Sequence, residues 1–196
     1  MPTPVGHSLA GLAVALAGER RLRGNWRRFL TSRTTLICVA LATLPDLDLL
    51  IPRLHRTATH SLTATLVVAV VAAIMTARAP TRGTGTGGVF GRIAWSAVAL
   101  YAAAHASHLL LDWLGRDPSP QPGIQLLWPL SDRWFISGWD VFPNEERRHV
   151  FTAAAMLRNL HVLAWELGIL GPVVVALSRF QIVRSVRLQA DRTKSG

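Results

Sequence analysis

Two stretches of this chain carry side chains of the kinds that bind metal ions. The first, LPDLDLLIPRLHRTATHS from Leu44 to Ser61, sets Asp46 and Asp48 two residues apart and then His55 and His60 five apart. The second lies within WSAVALYAAAHASHLLLDWLG, where His105, His108 and Asp112 follow one another at steps of three and four. Carboxylate oxygen and imidazole nitrogen are the usual protein ligands of zinc and related divalent ions besides cysteine, and steps of three and four stack side chains on one face of a helix. Cys38 is the lone cysteine and lies in an apolar run, so no disulfide framework or Cys-based zinc site is available. An ion held by these residues would activate water for hydrolysis. Asp48 is then the candidate proton acceptor and Arg56 the candidate partner for developing negative charge. Zinc is the expected ion, with manganese as the alternative.

The elements that must position these residues are apolar. Half of the 196 residues are hydrophobic and 16% are charged, and the apolar residues collect in runs: Ser8 to Ala17, Leu36 to Ile51, Leu62 to Ala77, Ile93 to Leu114 and Val162 to Leu177. The formal charge of +10 would suit a nucleic-acid partner, but its placement argues against one. Six of the 21 Lys and Arg lie between Arg20 and Arg33, three are Arg78, Arg82 and Arg92, and five follow from Arg179. With five alternating spans these all fall on one side, as the positive-inside rule requires, while most of the acids fall on the other. The expected fold is therefore an all-α polytopic membrane bundle of about five spans, N-terminus outside and C-terminus inside. Residues 1–178 form one domain, 113–150 an outer interfacial segment rich in tryptophan, and 179–196 a basic tail. The linker TRGTGTGG between the third and fourth spans carries no recognisable chemistry.

Pro45 and Pro52 disfavour a continuous helix through the first motif and predict an irregular turn from which the two aspartates project. Thr3 and Pro4 predict the cap and first residue of the opening helix, which puts His7 in its first turn. Ionisable residues inside apolar spans are costly, at about 2.5 to 3.5 kcal/mol each on insertion scales, and so mark function. By that argument Glu166 and His161 of the last span form a second tier of candidates. Counted along the helices, the candidates of the first four spans lie in the outer half of the membrane.

Together, P-D-L-D, H-R-x-x-T-H-S, H-x-x-H-x-x-x-D and a later L-x-W-P-x-S-D resemble the YdjM-like family of inner-membrane, metal-dependent hydrolases, from His7 to about Pro172. That resemblance implies a bacterial plasma-membrane protein with hydrolase activity. A more distant resemblance is to zinc-dependent phospholipase C, whose pattern would fall on His7, on Asp46 with His60, and on His108 with Asp112. That family's final H-x-x-x-E has its nearest counterpart here in His161 and Glu166, one residue too long.

The expected function is thus a multi-pass membrane hydrolase using metal-activated water, its site facing the extracytoplasmic side. Membrane lipid is the expected surrounding, and an amphiphilic or phosphoester compound the expected substrate. Two other classes remain open: a metal-ion or proton transporter, and a non-catalytic membrane protein with a structural metal. The sequence leaves oligomeric state undecided.

Overall fold

The computed structural model describes residues 1–19, 26–51, 55–77, 93–147 and 149–194, side chains beyond 184 excepted. The described residues form six α-helices: α1 Pro4–Gly18, α2 Trp26–Leu30, α3 Arg33–Thr43, α4 Leu62–Thr76, α5 Trp95–Leu114 and α6 Ala153–Lys194. No strand occurs among them, so the chain is all-helical as expected. The expected linker TRGTGTGG and Pro52 lie outside the described residues.

Local chemistry accounts for the helix starts. The Thr3 hydroxyl accepts from the Gly6 amide at 3.3 Å and Pro4 opens α1, Ser32 caps α3 through Thr35 N, and Ser61 caps α4 through Ala64 N. Each cap satisfies an amide that the first turn leaves without a partner. At the end of α3, Pro45 does not produce the expected irregular turn. The chain winds on as a tighter 3-10 helix, Leu44–Leu50, since proline tolerates the first turn of a new helical segment while it interrupts an α-helix. A second short 3-10 turn, Ala58–His60, leads directly into α4.

Helix α1 is the hub, packing against α3, α5 and α6, while α5 also packs against α3 and α4. Gly11 explains the closest of these approaches. A Cβ there would lie 2.7 Å from Cys38 O and 2.8 Å from the Ala42 Cβ, so only glycine lets the two backbones meet. Ala15, Leu16, Phe29, Cys38 and Ala104 form the buried core between these helices. This core lies toward the end of α1, and the opposite end of the bundle is where α1 and α4 begin and α3 and α5 finish.

An irregular segment, residues 115–147, covers that end. It is held by single bridges, Gly115 with Phe142 and Ile124 with Phe135, and by backbone bonds from Gln125 N to Arg56 O and from Leu62 N to Leu126 O. Gly123 is required by its φ of +95°, and because a Cβ would lie 2.1 Å from Phe135 O. Three side chains of α6 stitch on the distal part: Arg158 to Asn144, Asn159 to Glu146, and Trp165 to the Val141 carbonyl.

The outer faces of α4 and α6 are apolar. Leu66, Val70, Ile74 and Met75 on α4, and Leu157, Leu160, Val175 and Phe180 on α6, are half or more exposed. Among the described residues one helix is long and apolar enough to cross a bilayer, Ala153–Arg184 within α6, and α1 and α4 are shorter apolar helices. The fifth apolar run is thus part of a helix that starts nine residues before Val162 and passes Arg179 without a break.

Candidate metal centre

Five side chains from four parts of the chain converge at the covered end: His7 from the first turn of α1, Asp46 from the 3-10 segment, His60 just before α4, and His108 and Asp112 from α5. His7, His60, His108 and Asp112 are fully or almost fully buried. Asp112 sits at the centre, 3.4 Å from His7 Nε2, 3.3 Å from His60 Nε2 and 3.1 Å from His108 Nε2. The Nε2 atoms of His60 and His108 are 3.0 Å apart. Donors that share one tetrahedral ion at 2.0 to 2.1 Å lie about 3.3 Å from one another. Asp46 stands farther out, 3.9 Å from His7 and His60 and 4.0 Å from His108.

Hydrogen bonds behind the cluster determine which nitrogen faces inward. His108 Nδ1 donates to the Ala42 carbonyl at 2.8 Å, and His60 Nδ1 lies 3.1 Å from Asp48 Oδ2. A neutral imidazole has one N–H, so with both Nδ1 atoms donating, both Nε2 lone pairs point at each other and at Asp112. The His7 ring stacks on His108, with centroids 3.9 Å apart. Both His7 nitrogens, both Asp112 oxygens and Asp46 Oδ2 are buried without a hydrogen-bond partner. Buried polar atoms are normally satisfied. A cation among these lone pairs would satisfy them together, and the groups His7, His108, Asp112 and Asp46, His60, His108 can each hold one.

Asp48, expected as a ligand and as the catalytic base, is placed elsewhere. One oxygen accepts from His55 Nδ1 at 2.7 Å, and the other from Arg56 N at 3.0 Å, from the Thr59 hydroxyl at 2.6 Å and from His60. With these lone pairs occupied it orients His60 rather than facing the cluster. His55, also an expected ligand, spends its Nδ1 on Asp48 and accepts from Arg56 Nε at 3.0 Å. His105 is buried on α5, but about 4.5 Å along the axis from His108, where α4 is the neighbour. Its Nδ1 pairs with the Thr65 hydroxyl at 2.9 Å.

Arg56, expected to face negative charge on substrate, is committed to a protein carboxylate. It adopts φ +66°, a left-handed conformation uncommon outside glycine, and its guanidinium lies 2.5 Å from Asp117 Oδ2 and 3.3 Å from Ser119 Oγ. Burial works against a charge on Asp117, yet the Gly123 amide, the Arg56 guanidinium and the Ser119 amide outweigh it and hold this carboxyl below its ordinary range. Asp117 thereby locks the His55–Arg56 turn from the covering segment. Sequence reading passed it over, for an aspartate in GRDPSPQPG looks like any turn residue.

Glu166 and His161, the second tier, do not reach the cluster. Glu166 is fully buried and accepts from Thr3 N at 2.6 Å and Thr3 Oγ1 at 2.5 Å. It clamps the start of α1, one turn before His7. His161 is exposed, beside Trp165.

A cavity of about 550 Å³ reaches Asp46 from between α3 and α6. Asp46 is the only one of the five cluster residues among its lining residues, with 12% of its side chain exposed. Comparison with known proteins found no match among curated proteins or solved structures. The sequence profile of the YdjM inner membrane protein family, however, matches residues 1–185. The chain, with its His and Asp cluster at the covered end of a helical bundle, belongs to the YdjM inner membrane protein family.

Proposed function

We propose that this protein is a multi-pass plasma-membrane hydrolase in whose cluster three histidines and Asp112 hold a divalent ion, zinc in the first instance. The observation that carries the metal is the pair of His60 and His108 Nε2 atoms, 3.0 Å apart and both turned toward Asp112 by hydrogen bonds at their far nitrogens. A bound divalent ion supplies Lewis-acid chemistry, lowering the pKa of water and drawing charge from an ester oxygen. The chain's own residues do the rest. His7, His60, His108 and Asp112, all buried, would hold the ion. Asp46 lines the cavity, partly exposed there, and would take the proton, the role first assigned to Asp48.

Five spans with the N-terminus outside and the basic tail inside remain the arrangement that best accounts for the charge distribution. The site then faces the extracytoplasmic side, and the exposed apolar faces of α4 and α6 meet lipid. The competing reading is a structural ion, since four donors suffice to close a tetrahedron. Asp46 at the cavity favours catalysis. The test is Asp46→Asn assayed on phosphoesters in detergent: metal content stays close to wild type while turnover falls by about 10²-fold or more. Zinc-loaded wild type without turnover on any phosphoester would leave the structural reading.

A further inference from the structure

The cavity at Asp46 is built unlike a route for a water-soluble substrate. One wall is the end of α3 and the 3-10 segment, where Ala40, Leu44, Leu47 and Leu49 line it, and Val150 closes the opposite side. Next in sequence to the lining residues Leu49 and Val150, Leu50 is 80% exposed and Phe151 96%. In a protein of an inner-membrane family, such a rim faces hydrocarbon. The other edge is polar, lined by Glu145, Glu146, Arg147 and Asn159. Glu145 pairs with Arg147 Nε and fixes the guanidinium in place, and the remaining N–H groups of that guanidinium are donors that match phosphate oxygens.

We propose, resting on the hydrolase reading, that this cavity takes a membrane phospholipid sideways from the bilayer, its aliphatic chain against Ala40, Leu44 and Leu47 and its phosphoester between Arg147 and Asp46. Apolar and charged residues line one cavity, and Asp46 of the cluster is among them. An amphiphile whose hydrolysable bond lies at its polar end matches that order. A soluble phosphoester would leave the apolar wall uncovered.

The experiment uses the full chain in vesicles of phosphatidylethanolamine and phosphatidylglycerol that contain a phosphatidic acid with a diazirine in its acyl chain. After irradiation, labelled peptides are mapped by mass spectrometry. The expected label falls on residues 40–49 and on Val150, besides the outer faces of α4 and α6. Ala40→Trp, at an exposed position of α3, and Leu47→Glu should each cut the cavity label at least tenfold while metal content and the α4 label stay unchanged. Label confined to α4 and α6, or cavity label indifferent to both substitutions, would overturn the proposal. In parallel, wild type is assayed on a soluble aryl phosphodiester. Turnover without cavity label refutes the lipid route alone, whereas cavity label without turnover of lipid or soluble ester upholds that route and refutes the hydrolase.

Discussion

At the scale of single residues, the chemistry was legible by type but not by direction. Histidines and carboxylates in apolar runs announce a polar site, and five of the eight expected ligands do converge. What spacing could not say is which of Asp46 and Asp48 faces inward. In a 3-10 helix of 3.0 residues per turn, positions two apart point about 120° away from each other, so only one can join the cluster. The other, Asp48, meets the turn that carries His55 and Thr59 and holds His60 from behind. Because such partners typically tune metal affinity by 10- to 100-fold, Asp48→Asn should weaken zinc binding by about that factor without abolishing it, as measured by competition with a chromophoric chelator. A second residue-level expectation concerns pH. Asp117 has its carboxyl held below the ordinary value, so it stabilises the fold above roughly pH 4, and that contribution is lost as pH falls through its folded pKa. Thermal unfolding of wild type should therefore lose more stability on acidification than that of Asp117→Asn, which is less stable at neutral pH.

At the scale of elements, Thr3 and Pro4 marked the start of α1, and the 3.6-residue period of α5 put His108 and Asp112 on one side. Pro45 misled, because a proline that ends an α-helix can still open a 3-10 segment. The reach of α6 past Arg179 was hidden for another reason: the basic residues there read as a separate tail. Arg158 and Asn159, inside the last span, project sideways to bind the covering segment. Gly11 is the element-level residue on which the site depends, for the contact of α1 with α3 places His7 beside Asp46. Gly11→Leu should separate the two helices, with an overpacking cost of about 1 to 3 kcal/mol. The expected readout is a lower Tm together with loss of bound metal, although every ligand is still present. An unchanged metal content would show that α1 is not positioned by that contact.

At the scale of the whole molecule, the sequence conveyed the all-helical class and the crowding of the chemistry at one end, since charge and apolar runs encode both. The covering segment was expected as residues 113–150, but its course was not legible. It has no period, and it is held by isolated backbone bonds and by Gly123 in a left-handed conformation, which arise only once distant parts meet. The proposed topology can be tested because Cys38 is buried and is the sole cysteine. Ser131→Cys should react with a membrane-impermeant maleimide in intact cells, and Gly85→Cys only after the cells are opened. The reverse pattern would invert the protein.

The claim that joins all three scales is that four separated parts of the chain form one metal site. Elemental analysis of purified protein tests it most directly, comparing wild type with His7→Ala, His60→Ala, His108→Ala, His55→Ala and His105→Ala. The account predicts close to one or two divalent ions per chain in wild type, loss in the first three variants and retention in His105→Ala, with His55→Ala weakened at most. No metal in wild type even after loading, or equal loss in His105→Ala and His108→Ala, would contradict it.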